Sequence, residues 1–382
     1  MRVTDVETFV VDADWRNWFF VQVTTDTGIT GVGEALSGEG LTAALEATAE
    51  AHKHYVIGED PLNRKGISRK LRRYPFAWRG GKLINAVAAA VDIALWDIAG
   101  KHYGEPVWKL LGGKVRDEIP VYANGWHIGE RTPENYAHHA KKAIDAGYPA
   151  LKCDPFAHYE YSLTDDQLDE VADLLEAVRD AVGWDVGIGL DCHGRFTRRG
   201  AIEVAEALSE YDIMFLEEPV ELEDREVMAD VTQHVDMPVA TGERIYNNET
   251  MEDVVRKQAC DIVQPDVTNY GSLQEVQHAA SMAKSRYMTV APHNPNAGVS
   301  TAASVHLCAG IENLEVLEHM SRDVDWADEI IDHDFTVEDG SIEVPDEPGL
   351  GVTFDPDAAR EYPGEPKDSH SLFDEDGALK RP

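Results

Sequence analysis

Across 382 residues the chain carries 71 Asp and Glu against 34 Lys and Arg, a formal net charge of −37. That balance argues against a nucleic-acid partner, which needs basic surface against phosphate, while 43% apolar content and eight Trp argue against a disordered polyanion. Surplus charge of one sign self-repels in dilute solution, so the composition fits a high-salt cytoplasm.

The length accommodates a barrel of about 250 residues and a second domain of roughly 100. MRVTDVETFVVDADW has neither a basic leader nor an uninterrupted apolar run, and no signal peptide is expected. The most apolar run, INAVAAAVDIALWDIAG, contains Asp92 and Asp97 and reads as a buried helix, not a membrane span. Cys153, Cys192, Cys260 and Cys308 lie far apart with no C-x-x-C, which fits free thiols in a reducing cytosol.

Residues 1 to about 35 alternate as two or three strands with a turn at Thr25–Gly28. The segment DWRNW between them places Trp15, Trp18 and a guanidinium in a polar loop, either an edge-strand aromatic pair or a flap over a ligand. From Leu41 to Gly113 the pattern is helical, with Ala86, Ala90, Ile93, Ala94 and Asp97 at helical spacing. Residues 1–118 thus predict an α+β capping domain.

PVYAN, at Pro120–Asn124, opens a second pattern. Thr132 caps a helix that leads into ALKCDPF, where Lys152 and Asp154 share one face of a strand and Cys153 the other. A further helix ends at Gly183. Short apolar strands then follow, each ending in a polar group: Asp191, Glu217, Glu243, Asp266, His293 and Glu318, at intervals of 26, 26, 23, 27 and 25 residues. One strand, one helix and two connections span about that length. The pattern predicts an α/β fold, a modified TIM (β/α) barrel over residues 119–320 with its site at the strand C-terminal ends. Residues 321–382, rich in Pro and acids, are expected to pack back on the cap and then fray.

Asp191, Glu217 and Glu243, in phase on three consecutive strands, would repel one another without a cation. An all-oxygen set favours a hard ion, with one Mg²⁺ per subunit the expectation. Glu217 and Glu218 point to opposite faces, and the residues alone do not choose between them. Asp266 can orient the His293 imidazole and raise its basicity, as befits a general base. His193 shares the face of Asp191 and suits an acid or base beside the metal. Lys152, Asp154 and Glu318 complete the ring, Glu318 as an oxyanion donor if protonated or as the partner of a cation.

The motifs TGITGVGEA, RGGKLINAVAAAVDIALWDIAGK, GLDCHGR, FLEEP, TGER, IVQPD, APHNP and PGLGV together resemble the enolase superfamily, mandelate racemase subgroup, and within it the acid-sugar dehydratases of the galactonate dehydratase type. The resemblance implies Asp191, Glu217 and Glu243 as Mg²⁺ ligands, His293 backed by Asp266 as base, and His193 as the acid that protonates a departing β-hydroxyl. It implies dehydration of an aldonic acid to a 2-keto-3-deoxy acid through an ene-diolate, in a homo-oligomer, often an octamer. Members with a lysine base carry K-x-K, whereas this chain has Lys152-Cys153-Asp154. Lys152 then becomes a partner for the substrate carboxylate, and Asp154, Trp15 and Trp18 candidates for reading the sugar. An epimerase using the same ene-diolate, a metal-dependent hydrolase and an acid-binding barrel without turnover are the competing readings.

Overall fold

The structure, a computed structural model, describes residues 1–38, 40–73, 80–156, 159–321, 324–333 and 335–366. Strands β1 (Val3–Asp12), β2 (Asn17–Thr25), buried along its first half, and β3 (Thr30–Ala35) form a three-stranded antiparallel sheet in chain order. Helices α1 (Thr42–His52), α2 (Arg64–Arg73) and α3 (Lys82–Tyr103) cover it. The sheet meets α3 closely because β3 presents glycines: a Cβ at Gly33 would lie 1.8 Å from the Ala90 carbonyl oxygen.

Helix α3 is long and apolar enough to cross a membrane, yet 94% of its apolar window is buried inside the protein. Its two acids fasten it to three other parts of the chain. Asp97 accepts hydrogen bonds from Val32 N, Lys101 Nζ and Leu350 N, and Asp92 from Leu273 N and Trp96 Nε1. Buried carboxylates survive only when so satisfied. These two acids therefore join the cap sheet, the C-terminal segment and a barrel helix.

Eight parallel strands follow in sequence order: β4 (Glu118–Asn124), β5 (Ala150–Cys153), β6 (Gly187–Asp191), β7 (Phe215–Glu217), β8 (Val239–Thr241), β9 (Ile262–Val263), β10 (Thr289–Val290) and β11 (Leu317–Met320). β11 returns to pair with β4. At the other seam Glu315 N donates to Val290 O and Glu318 N to Pro292 O, which closes the barrel. Strands β7 to β10 are only two or three residues long. The chain leaves the ladder where its polar side chains turn into the mouth. Thr132 caps helix Pro133–Asp145, and Gly183 ends helix Asp165–Val182, as the sequence pattern predicts.

Inside the barrel, Tyr122, Ala150, Phe215, Ala240, Ile262 and Ala291 form an apolar plug. Lys152, Glu217, Gln264 and Glu318 are buried as well, an ionic group inside an otherwise apolar wall.

Past β11 the chain returns to the cap. Ile331–Asp332 pairs with Thr353–Phe354, Gly364 N donates to Val10 O, and Arg360 reaches Glu7 at 2.7 Å. Ser341–Glu343 also adds antiparallel to β4, so this segment braces the barrel as well as the cap. The expected frayed tail, 367–382, lies outside the described residues.

Candidate active site

The barrel mouth is assembled from strand ends. Asp191 closes β6 and Glu217 closes β7, while Glu243 follows β8 by two residues. Gly242 lets that last loop pass tight against β9, since a Cβ there would sit 2.6 Å from the Gln264 backbone. One carboxylate oxygen from each of the three acids lies within 4.8 Å of the other two. Glu217 is the inward member of its pair. Glu218, with φ 41°, turns away to accept from Thr241 Oγ1 and to bind Arg244.

The donor set fits a divalent cation. Glu217 Oε1 is buried with no hydrogen-bond partner, although Oε2 of the same group accepts from Lys152 Nζ and Gln264 Nε2. Burial, followed by the charge of Asp191, pushes the Glu217 carboxyl up to about 8 against the pull of Lys152. A cation held by Asp191, Glu217 and Glu243 would relieve that conflict, and the unpartnered Oε1 fits such a role.

Lys152 lies deeper than a surface contact for substrate would. Its Nζ is 2.9 Å from Glu217, 3.0 Å from Glu318 and 3.2 Å from Asp191. Burial alone would strip its proton, but Glu217 and Glu318 hold its pKa well above the usual lysine range. Glu318 also accepts from Asn124 Nδ2 and Asn294 N, and Lys152 and His293 outweigh burial to keep it ionised. Of the two roles open to Glu318, this arrangement favours the partner of a cation.

On β10's exit, His293 Nδ1 stands 2.7 Å from Asp266 Oδ2, and its Nε2 is 2.9 Å from Glu243 Oε2. Asp266 is itself held, its Oδ1 accepting from Thr268 N and Thr268 Oγ1. Burial would lower the imidazole pKa, but Glu243, Glu318 and the bond to Asp266 raise it well above the ordinary value. A cation held by Glu243 would compete with Nε2 for that carboxylate and so weaken the hold on its proton.

Four strands away, and therefore across the barrel, His193 sits in a left-handed turn with φ 50°. Its backbone N donates to Asp191 Oδ1, its Nδ1 lies 3.0 Å from Asp154 Oδ2, and its Nε2 is 3.4 Å from Asp191 Oδ2. The charge of Asp191, then the bond to Asp154, raises its pKa to about 10 against burial. Asp154 is also clamped by both Nη atoms of Arg195. Its contacts are those of a group that orients His193, leaving little free for a sugar hydroxyl.

The two tryptophans separate. Trp18 is 5% exposed and packs edge-on against Phe20 and Trp326, in the core instead of at the mouth. Trp15 stays partly exposed beneath the Arg16 guanidinium. The sequence pattern does not single out Asn124, Gln264 or Arg195, and marks Arg16 only as the guanidinium of the DWRNW loop. Asn124 and Gln264 were findable, since each lies at a strand end on the face already singled out. Arg16 and Arg195, in loops, carry no periodic signal.

Comparison with known proteins agrees with this geometry. Residues 8–112 match the mandelate racemase and muconate lactonizing enzyme N-terminal domain, and residues 135–358 the enolase C-terminal domain-like family. The D-xylonate dehydratase of Haloferax volcanii is 34% identical over 98% of this chain and 91% of its own length. The D-galactonate dehydratase of Ralstonia pickettii is 32% identical over 93% and 92%. A crystal structure of a mandelate racemase/muconate lactonizing enzyme from Jannaschia sp. CCS1 superposes with a TM-score of 0.90 at 29% identity, covering 96% of this chain and 99% of that one. With both domain models matched in order and the barrel mouth built as described, the chain belongs to the enolase superfamily, in its mandelate racemase and muconate lactonizing enzyme branch.

Proposed function

We propose that this protein is a hydro-lyase that dehydrates an aldonic acid to its 2-keto-3-deoxy acid. The observation that carries the reading is the pair of imidazoles facing each other across the carboxylate cluster. One, His293, stands 2.7 Å from the buried Asp266, and the other, His193, lies 3.0 Å from Asp154. Relatives named for D-xylonate, D-gluconate and D-galactonate dehydration support the substrate class.

The α-proton of a carboxylate is weakly acidic, and its removal leaves a second negative charge on the acid. A divalent cation, Mg²⁺ by the hardness of the donors, would supply the charge that stabilises that dianion. His293 Nε2 takes the proton from C2 while Asp266 holds Nδ1–H. The electron pair released at C2 forms the C2–C3 double bond, and the bond from C3 to its hydroxyl breaks. His193 gives its proton to that oxygen, which departs as water, and the resulting enol tautomerises to the 2-keto acid. Lys152 tempers the charge of the cluster from below. The enzyme works in the cytoplasm as a homo-oligomer.

Incubation of an aldonate panel with Mg²⁺ in high salt, assayed for 2-keto acid, tests the reading. Exchange at C2 in D₂O with both epimers recovered and no keto acid would transfer the assignment to an epimerase.

A further inference from the structure

Arg16 lies in the tight connection between β1 and β2, where Ala13 N donates to its carbonyl. The cap thereby reaches into the barrel mouth. Arg16 Nη1 donates to Pro295 O at 3.0 Å and to Asn296 Oδ1 at 3.2 Å, in the same loop that carries His293. Asn296 in turn donates to Thr268 Oγ1, which donates to Asp266. The guanidinium is therefore fixed over the loop of the imidazole–carboxylate pair, with its carbon 3.9 Å above the Trp15 ring.

One edge of this fork has nothing to do. Nε is buried without a hydrogen-bond partner, and no bond of Nη2 is found among the described residues. A buried donor left unmade is costly, and guanidinium donors are strong when charge-assisted. Glu318, Asp266, Glu34 and Glu243 all act on the charge of this partly exposed residue, and its buried Nε lies on the side away from solvent. Among the described residues no carboxylate is hydrogen-bonded to this edge.

Resting on the dehydratase reading, we propose that Arg16 is the specificity-determining residue for the far end of the substrate. Its Nε and Nη2 donate to the C4 and C5 hydroxyl oxygens of the sugar acid. The reacting carbons belong to the carboxylate cluster and the two imidazoles, so a donor hung from the cap is placed for the part of the chain beyond C3. Two parallel N–H donors at fixed separation match vicinal oxygens, a geometry that a lysine ammonium does not reproduce.

The test is a cycle between protein and substrate, comparing wild type with Arg16→Met, which keeps the stem over Trp15 but removes every donor. A pentonate is set against its 4-deoxy and 5-deoxy analogues. Loss of one charge-assisted hydrogen bond predicts a fall in kcat/KM of about tenfold to a hundredfold. In wild type, deleting a contacted hydroxyl lowers kcat/KM by about that factor, and in Arg16→Met the same deletion has less than a threefold effect. Equal penalties in both proteins overturn the proposal. Should Arg16→Met fail to fold, Arg16→Lys replaces it, with the penalty halved on a logarithmic scale or less; an unchanged penalty again overturns it. If wild type makes no keto acid from any aldonate, the dehydratase reading fails. The same cycle is then read in dissociation constants of the pentonate and its deoxy analogues by calorimetry, where uncoupled binding overturns the role of Arg16 separately.

Discussion

Replacing Lys152 by Met removes one ammonium from among three carboxylates while keeping the volume of its stem. In the wild type Nζ lies 2.9 to 3.2 Å from Glu217, Glu318 and Asp191, all buried. Breaking a buried ion pair from one side costs about 3–5 kcal/mol, because the remaining charge is left in a poor dielectric. Unfolding entropy of about 2.1 cal/mol/K per residue corresponds to roughly 0.8 kcal/mol/K for a chain of this size, so the melting temperature should drop by about 4–6 °C without divalent metal. Two of the three stranded carboxylates, Asp191 and Glu217, belong to the proposed cation site, whereas Glu318 does not. Mg²⁺ should therefore stabilise the variant more than the wild type and restore about half of the deficit or more. Calorimetric melts in chelator and in saturating Mg²⁺ measure both quantities. A variant that melts within 1 °C of wild type in chelator, or gains no more from Mg²⁺ than wild type does, refutes the idea that Lys152 and the cation share the charge of one cluster.

The remaining predictions follow from the same geometry. His293→Asn should abolish keto-acid formation and C2 exchange while Mg²⁺ binding by calorimetry persists; retention of exchange would remove His293 from the base role. His193→Asn should stop elimination yet leave solvent deuterium entering C2, and a variant as active as the parent would sink the acid assignment. His306 is buried with Trp108 N donating to its Nδ1, and burial holds its pKa down at about 4. Its lowered folded pKa means that its contribution is complete above about 6.5 and shrinks as pH falls toward 4, since the unfolded chain takes the proton first. Across that window the loss approaches about 3 kcal/mol. His319, with Nδ1 against Tyr148 Oη and its pKa likewise lowered to about 4 by burial, acts in the same direction. Denaturant midpoints of wild type and His306→Gln whose difference stays the same between pH 7 and pH 4.5 would contradict this, a comparison that cancels the opposing titration of Glu217. Given a formal net charge of −37, raising KCl to molar levels should increase the melting temperature through screening, and greatest stability in dilute buffer would refute a high-salt adaptation.

What the sequence by itself determined was the beat of the molecule. A strand–helix period near 26 residues, with a polar group at each strand end, specifies the barrel, its open face and the membership of its ring, because strand direction and side-chain alternation are local properties. The alternating start and the capped helices were legible for the same reason. Which member of Glu217–Glu218 turns inward waited on the tertiary structure, since Arg244 and Thr241 draw Glu218 outward and both come from another part of the chain. Lys152 and Asp154 read as substrate contacts while their neighbours were unknown. Packing instead surrounds Lys152 with acids from β6, β7 and β11 and ties Asp154 to Arg195 and His193. Trp18 and Arg16 are two residues apart, one at the start of β2 and the other in the turn before it, yet one enters the core and the other reaches the barrel. A periodic pattern records which face a residue occupies within its own element. Charge balance and burial depend on what distant elements bring to that face, and only the folded chain decides them.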